Sequence, residues 1–257
     1  MKRPTRLVIA NWKLNPTTLA EAKELFKGIK SAVAKLKKTA VVVCPPAVFL
    51  TSLQALNKKK PLTLGIQNVF WAESGSFTGE LSPEMVYDLG AHYVLLGHSE
   101  RRAMGEDNQL VGRKVVAVLK TDLLAVICVG ETTRDHHGHY LAFVREQLVT
   151  ALNKVPKRLL NQVIIAYEPV WAIGKGASEA MNATDVYEMT LFIRKVLSQL
   201  YDQPTAFTVP ILYGGSVEKD NAKNLMTHSK VNGFLVGHDS LVPKDFKIIV
   251  QAVAEAK

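Results

Sequence analysis

Eight short runs of aliphatic and β-branched residues recur along this chain, each followed by a stretch of helical period, and that alternation admits very few folds. The runs are Leu7–Ala10, Ala40–Val43, Leu62–Gln67, Tyr93–Leu96, Ala125–Val129, Val163–Ala166, Val209–Leu212 and Gly233–Val236. They are apolar at consecutive positions, as parallel strands must be when helices cover both faces of the sheet. Between the first two runs Leu19, Ala22, Phe26, Ile29, Val33 and Leu36 fall at three- and four-residue steps behind a Thr18-x-x-Glu21 capping box. The segment after the sixth run repeats that logic. Thr184 reads as its N-cap, Asp185 and Glu188 lie in the first turn, and Val186, Met189, Ile193, Val196 and Leu200 share one stripe. Eight such units in 257 residues suit a closed (β/α)8 barrel of parallel strands with outer helices, although a doubly wound open sheet gives the same alternation. No Gly/Ser-rich linker or internal repeat marks a seam, so residues 1–257 are expected to form a single domain.

In a barrel, functional groups come from the C-terminal ends of the strands. Asn11 and Lys13 follow the first run, His98 and Glu100 the fourth, and Glu168 the sixth, while Gly214-Gly215-Ser216 follow the seventh and Gly237 the eighth. Singly, each has an ordinary structural explanation. Together, a cation, an imidazole, a carboxylate and two glycine turns describe an acid–base site beside an anion site.

The same segments carry a family resemblance. Asn11-Trp12-Lys13, Gly97-His98-Ser99-Glu100-Arg101-Arg102, the stretch from Ala166-Tyr167-Glu168-Pro169 to Gly174, and Tyr213-Gly214-Gly215-Ser216-Val217 resemble, in order, the signature segments of the triosephosphate isomerase family. Gln67-Asn68-Val69 through Phe77-Thr78-Gly79-Glu80 is similar to that family's third loop. The resemblance implies a closed (β/α)8 TIM barrel. It also implies interconversion of D-glyceraldehyde 3-phosphate and dihydroxyacetone phosphate through an enediolate, a step of glycolysis and gluconeogenesis, with no cofactor and no metal. By the same resemblance Glu168 is the base, His98 the electrophile and Lys13 a point charge near phosphate and oxyanion. Asn11, Lys13, Gly174, Ser216, Gly237 and His238 are then the substrate-binding set, supported by Ser99, Glu100, Tyr213, Gly214 and Gly215. The segment from Pro169 to Gly176 is similar to the family's lid, with Pro169-Val170-Trp171 as its leading hinge. The aromatics Phe70, Trp71 and Phe77 belong to a third loop that would dock into a second copy, Thr78 reaching toward the partner's site in a homodimer. If a helix begins near Ser99, its dipole disfavours an imidazolium at His98.

Two departures from the family's pattern stand out. Val236-Gly237-His238-Asp239 replaces a pair of glycines after the eighth strand. His238 is strained if that position needs a positive φ, and if it does not, its amide still binds phosphate and its ring can add charge, while Asp239 would repel a phosphate unless turned away. A substrate affinity weaker than usual is the expectation, improved by His238→Gly. In the lid, Lys175 and Gly176-Ala177-Ser178 stand in place of the family's usual residues, which bears on opening rates more than on chemistry. Two other readings stay open on these residues: a different phosphate-handling barrel enzyme, and a non-catalytic relative whose site has decayed around His238.

Composition narrows the rest. The net charge of +9 suits an anionic ligand. Yet Lys35, Lys37, Lys38 and Lys58-Lys59-Lys60 precede strands, which puts them at the face opposite the site, and no aromatics interleave with them as nucleic-acid binding would want. His136-His137-Gly138-His139 reads as a solvated turn, lacking nearby cysteines. Cys44 and Cys128 each sit in an apolar run, which suits buried thiols in a reducing cytoplasm. The basic start, Met1-Lys2-Arg3, precedes too short an apolar stretch for a signal peptide, and no segment approaches the length of a membrane span. The expected partner is a small phosphorylated triose, with no nucleic acid and no membrane.

Overall fold

The computed structural model describes residues 4–36, 38–57, 62–174 and 180–256. Met1-Lys2-Arg3, Lys37, Lys58-Lys59-Lys60 and the lid residues Lys175, Gly176, Ala177 and Ser178 lie outside them. The chain runs β1 (Leu7–Asn11), α1 (Leu19–Val33), β2 (Ala40–Cys44), α2 (Leu50–Leu56), β3 (Thr63–Ile66), α3 (Pro83–Asp88), β4 (Tyr93–Leu96), α4 (Ser99–Ala103), α5 (Asn108–Val118) and β5 (Leu124–Val129). It continues through α6 (His139–Leu152), β6 (Val163–Tyr167), α7 (Ala183–Leu200), α8 (Gln203–Thr208), β7 (Ile211–Tyr213), α9 (Ala222–His228), β8 (Gly233–Val236) and α10 (Pro243–Glu255). Every strand pairs in parallel with its neighbours in sequence order, and β8 closes on β1. The closed barrel, and not the open sheet, is therefore the architecture.

The continuous apolar runs are explained by two cores that share the strands. Ile9, Val42, Leu95, Val126, Ile164 and Leu212 fill the barrel interior. Their neighbours Val8, Val43, Val94, Ile127 and Ile165 face the helices and pack on residues such as Phe26, Val115 and Ile193. Each such side chain contributes about 1.5–3 kcal/mol of transfer free energy.

The capping box at Thr18 forms as its spacing implies, with Thr18 and Glu21 each capping the other's backbone. The start of α7 differs from expectation: the N-cap is Asn182, not Thr184, because Asn182 Oδ1 accepts from Asp185 N at 2.9 Å while its amide nitrogen reaches the Asp185 carboxylate at 3.0 Å. The seventh strand also begins later than Val209, since Val209 closes α8 and Pro210 has no N–H to give the ladder.

Candidate active site

Strand ends bring the polar residues to one rim. Asn11 closes β1 opposite Cys44, Glu168 follows β6 with its N–H bonded to Val129 O at 2.8 Å, and Gly214 follows β7 with its N–H on Tyr167 O at 2.8 Å. The ladder thus carries on for one residue past each of these strands, which fixes where the side chains beyond them start. Lys13, His98, Glu168, Gly174, Ser216 and Gly237, with Asn11 and His238, line one cavity of about 400 Å3.

Glu168 is 2% exposed. Its Oε2 accepts from Ser99 N at 3.1 Å, whereas Oε1 has no hydrogen-bond partner among the described residues. A buried carboxylate oxygen left without a donor is costly unless a ligand completes it. His98 caps α4, its Nδ1 accepting from Glu100 N at 3.3 Å. That bond needs the lone pair on Nδ1, so the ring's proton sits on Nε2, which lies 3.5 Å from Glu168 Oε1. The helix start expected near Ser99 is where α4 begins.

Lys13 adopts a left-handed backbone conformation, φ 53°, and its Nζ donates to Glu100 Oε1 at 2.7 Å. Two contacts hold that conformation. Lys13 N donates to Asn11 Oδ1 at 3.1 Å, and Gln67 Nε2 donates to Lys13 O and to Cys44 O, both at 2.9 Å. Because Lys13 and Glu100 are both partly exposed, their ion pair is weak and easily exchanged for an entering anion.

The glycines at the rim work by absence. A Cβ on Gly214 would lie 2.9 Å from Glu168 Cγ, and one on Gly130 would lie 1.8 Å from Glu168 O. Both sites therefore let the main chain press against Glu168 from opposite sides. Gly130 was not among the residues singled out by sequence, and neither was its neighbour Glu131. Glu131 is buried and accepts from Tyr167 Oη at 2.9 and 3.1 Å and from Trp171 Nε1 at 2.9 Å. Its backbone oxygen takes Val170 N at 2.9 Å, so one residue anchors the leading end of the segment expected to act as a lid. Beneath the rim, burial pushes the Cys128 thiol well above the usual range, and the nearby Glu168 carboxylate adds to that shift. Both cysteines are buried and free.

At the other end of the cavity Ser216 Oγ donates to Ala172 O at 2.7 Å, tying the strand-seven turn to the lid's leading segment. His238 opens a short 3-10 turn, His238–Leu241, and is exposed. The strain anticipated there does not arise: among the described non-glycine residues only Lys13 and Lys230 have positive φ. Asp239 Oδ2 accepts from Lys219 N at 3.2 Å, so one of its oxygens is occupied by backbone.

Thr78 lies far from this constellation in sequence, on the exposed segment 73–80, where Phe70, Trp71 and Phe77 cluster with centroids 4.6–5.5 Å apart. The histidine turn leads into α6 with His137 N and His139 N donating to Asp135 Oδ1 at 2.7 and 3.2 Å. Among the described residues no group of three His, Cys, Asp or Glu side chains could hold a metal, and no helix is long and apolar enough to cross a membrane.

A (β/α)8 barrel whose rim presents a carboxylate, an imidazole and a lysine beside a glycine-lined pocket defines the class: a barrel site built for acid–base chemistry on a small anion. Residues 6–253 match the family model described as triosephosphate isomerase. The chain is 42% identical over 248 residues to the triosephosphate isomerase of Roseiflexus castenholzii, covering 96% of each chain. It is 36% identical to that of Dictyoglomus turgidum, over 96% of this chain and 99% of the relative. Against that of Caldanaerobacter subterraneus subsp. tengcongensis it is 42% identical over 97% of this chain and 99% of the relative. The chain belongs to the triosephosphate isomerase family.

Proposed function

We propose that this protein interconverts D-glyceraldehyde 3-phosphate and dihydroxyacetone phosphate through an enediolate, serving glycolysis and gluconeogenesis. The observation that carries the reading is the buried Glu168 carboxylate with one unpartnered oxygen, 3.5 Å from His98 Nε2, inside the cavity that Lys13 also lines. Glu168 takes the proton from the carbon beside the carbonyl. The electron pair of that C–H bond becomes the enediolate double bond, and the carbonyl oxygen takes the charge. His98 Nε2–H and the Lys13 ammonium stabilise that oxygen, the proton of the adjacent hydroxyl passes to it as the hydroxyl-bearing carbon becomes the new carbonyl, and Glu168 returns its proton to the carbon that was the carbonyl. One carbon is reduced as its neighbour is oxidised, so no external electron carrier enters.

The phosphate is assigned to the end formed by Gly174, Ser216, Gly237 and His238, with Lys13 leaving Glu100 to meet it. Asn11, Ser99, Tyr213 and Gly215 act as supports. Closure of the segment that starts at Pro169 would exclude water and protect the enediolate from losing phosphate. Glu168→Asp tests the base: it keeps the charge and withdraws the carboxylate by about one methylene, which should lower kcat by about 10²-fold or more. Unchanged turnover would remove Glu168 from that role.

The same reading takes the chain as one barrel domain, cytoplasmic, and a homodimer through its third loop. Leu14, Val48, Phe77 and Met85 are exposed on the segments after β1, β2 and β3. Apolar side chains so placed suit burial against a second copy, with Thr78 near the partner's cavity. Sedimentation at micromolar concentration should give twice the chain mass, and a monomer there would overturn this part.

A further inference from the structure

His238 stands at the anion end of the cavity, and we propose that its side chain is a pH-switched second cation for the substrate's phosphate, so that anion affinity rises on acidification. The inference rests on reading this cavity as a phosphate site. It deepens that reading by assigning a task to a side chain where the family's pattern has none.

Four observations support it. His238 lines the same cavity as Lys13 and Gly237. It is exposed, and its ring makes no hydrogen bond to another described residue, so it is free to turn toward a ligand. Its backbone lies outside the left-handed region, so the histidine sits there without the strain that would oppose its retention. The fourth is the charge around it. From the turn after β7, Glu218 lines the cavity, and from His238's own turn so does Asp239. Lys219, the cation nearest in sequence to Glu218, has its Nζ engaged by the Asp245 carboxylate at 3.2 Å. From β1, Lys13 shares its ammonium with Glu100. From the far end come His98, whose Nδ1 is an acceptor, and Glu168. Among the described residues that line it, the phosphate end therefore holds two carboxylates against one lysine, which is itself partnered. A proton on His238 supplies the cation that this arrangement lacks.

The sign follows directly. Histidine is the side chain that gains its proton between about pH 8 and about pH 5, so the extra attraction is absent at the alkaline end and present at the acid end. With strain absent and one Asp239 oxygen bonded to Lys219 N, the residue's expected effect under acid conditions is a gain in affinity, not a loss.

Inorganic sulfate is the suitable probe, because it remains a dianion across this range whereas a phosphate monoester loses a charge near pH 6. Its Kd is measured by titration calorimetry between about pH 5.5 and about pH 8 on the full chain, His238→Gln and His238→Lys. The unaltered protein should bind sulfate about two- to fivefold more tightly at the acid end, the range for a solvent-screened pair. His238→Gln should lose that difference, and His238→Lys should bind tightly throughout. Groups common to all three proteins, namely His98, Glu218 and Asp239, cancel in the comparison. Parallel pH profiles for the unaltered protein and His238→Gln overturn the proposal. Turnover of triose phosphates by the same preparations is read separately. Its absence alongside a His238-dependent sulfate profile would sink the isomerase reading and leave the anion switch standing, whereas turnover with parallel profiles would sink the switch alone.

Discussion

Replacing Gly214 by alanine adds one methyl group to the wall behind Glu168. Built on the existing backbone, that methyl lies 2.9 Å from Glu168 Cγ, 3.4 Å from Glu168 Oε1 and 3.4 Å from Leu235 Cβ. Leu235 blocks retreat in one direction, so Glu168 must give way. Ordinary contact begins at 3.4–4 Å, and the Glu168 side chain therefore withdraws by about half to one ångström. A misplacement of about 1 Å costs on the order of 10²-fold in rate, or about 2.7 kcal/mol in the barrier. Overpacking of this kind costs roughly 1–3 kcal/mol of stability, which a barrel of this size survives. The assay is steady-state isomerisation coupled to a dehydrogenase, with thermal unfolding to verify the fold and sulfate affinity to verify the anion end. Expected is a fall of about 10²-fold in kcat with sulfate binding retained. A folded Gly214→Ala protein with kcat within about twofold of the original would show that this glycine does not set the position of the Glu168 carboxylate.

Three further outcomes follow from the same geometry. Lys13→Gly relieves a left-handed lysine and should raise stability to urea by about 1 kcal/mol while abolishing turnover; a destabilised variant would contradict the strain at φ 53°. Lys114 is 2% exposed and donates to Glu106 Oε2 at 2.9 Å and to Asn68 Oδ1 at 2.8 Å, so Lys114→Met strands a buried carboxylate and should cost about 3–5 kcal/mol in urea unfolding. A loss below about 1 kcal/mol would mean that Arg101, 2.7 Å from the same oxygen, suffices alone. For the same carboxylate, burial pushes the pKa up, but hydrogen bonds from Arg101 and Lys114 outweigh it and leave the group below the usual carboxylate range. A lowered folded value means stability that is complete above the ordinary glutamate value of about 4.3 and drains as pH falls below it. Urea unfolding between about pH 3 and about pH 6 should therefore show a steeper acid loss for the original than for Glu106→Gln, and parallel curves would contradict the linkage.

The strands were legible because each is buried on both faces, which leaves consecutive apolar residues that no half-exposed strand shows. Helix α1 was legible through its capping box, whereas α7 misled: Thr184 is a good N-cap residue, but Asn182 captures Asp185 N first. At the site, Lys13, His98 and Glu168 could be found from strand ends because the barrel delivers those ends to one rim. Glu131, which follows Gly130 just past β5, is a residue the same strand-end rule reaches, although it was not among those singled out by sequence. What no spacing supplies is its partners, since Trp171 lies 40 residues away and meets it only once β5 and β6 are neighbours. Gln67 is similar. Its grip on Lys13 O spans 54 residues and depends on a backbone conformation that lysine rarely adopts. The steric demand on Gly214 and the unstrained backbone of His238 are likewise properties of the closed barrel.

The most direct test of the account is turnover by the purified protein of glyceraldehyde 3-phosphate to dihydroxyacetone phosphate, coupled to a dehydrogenase, beside Glu168→Gln. Rapid turnover is expected of the original, falling by several orders of magnitude in the variant while its fold and sulfate binding persist. No turnover by the folded, sulfate-binding original, or equal turnover by both proteins, would contradict it.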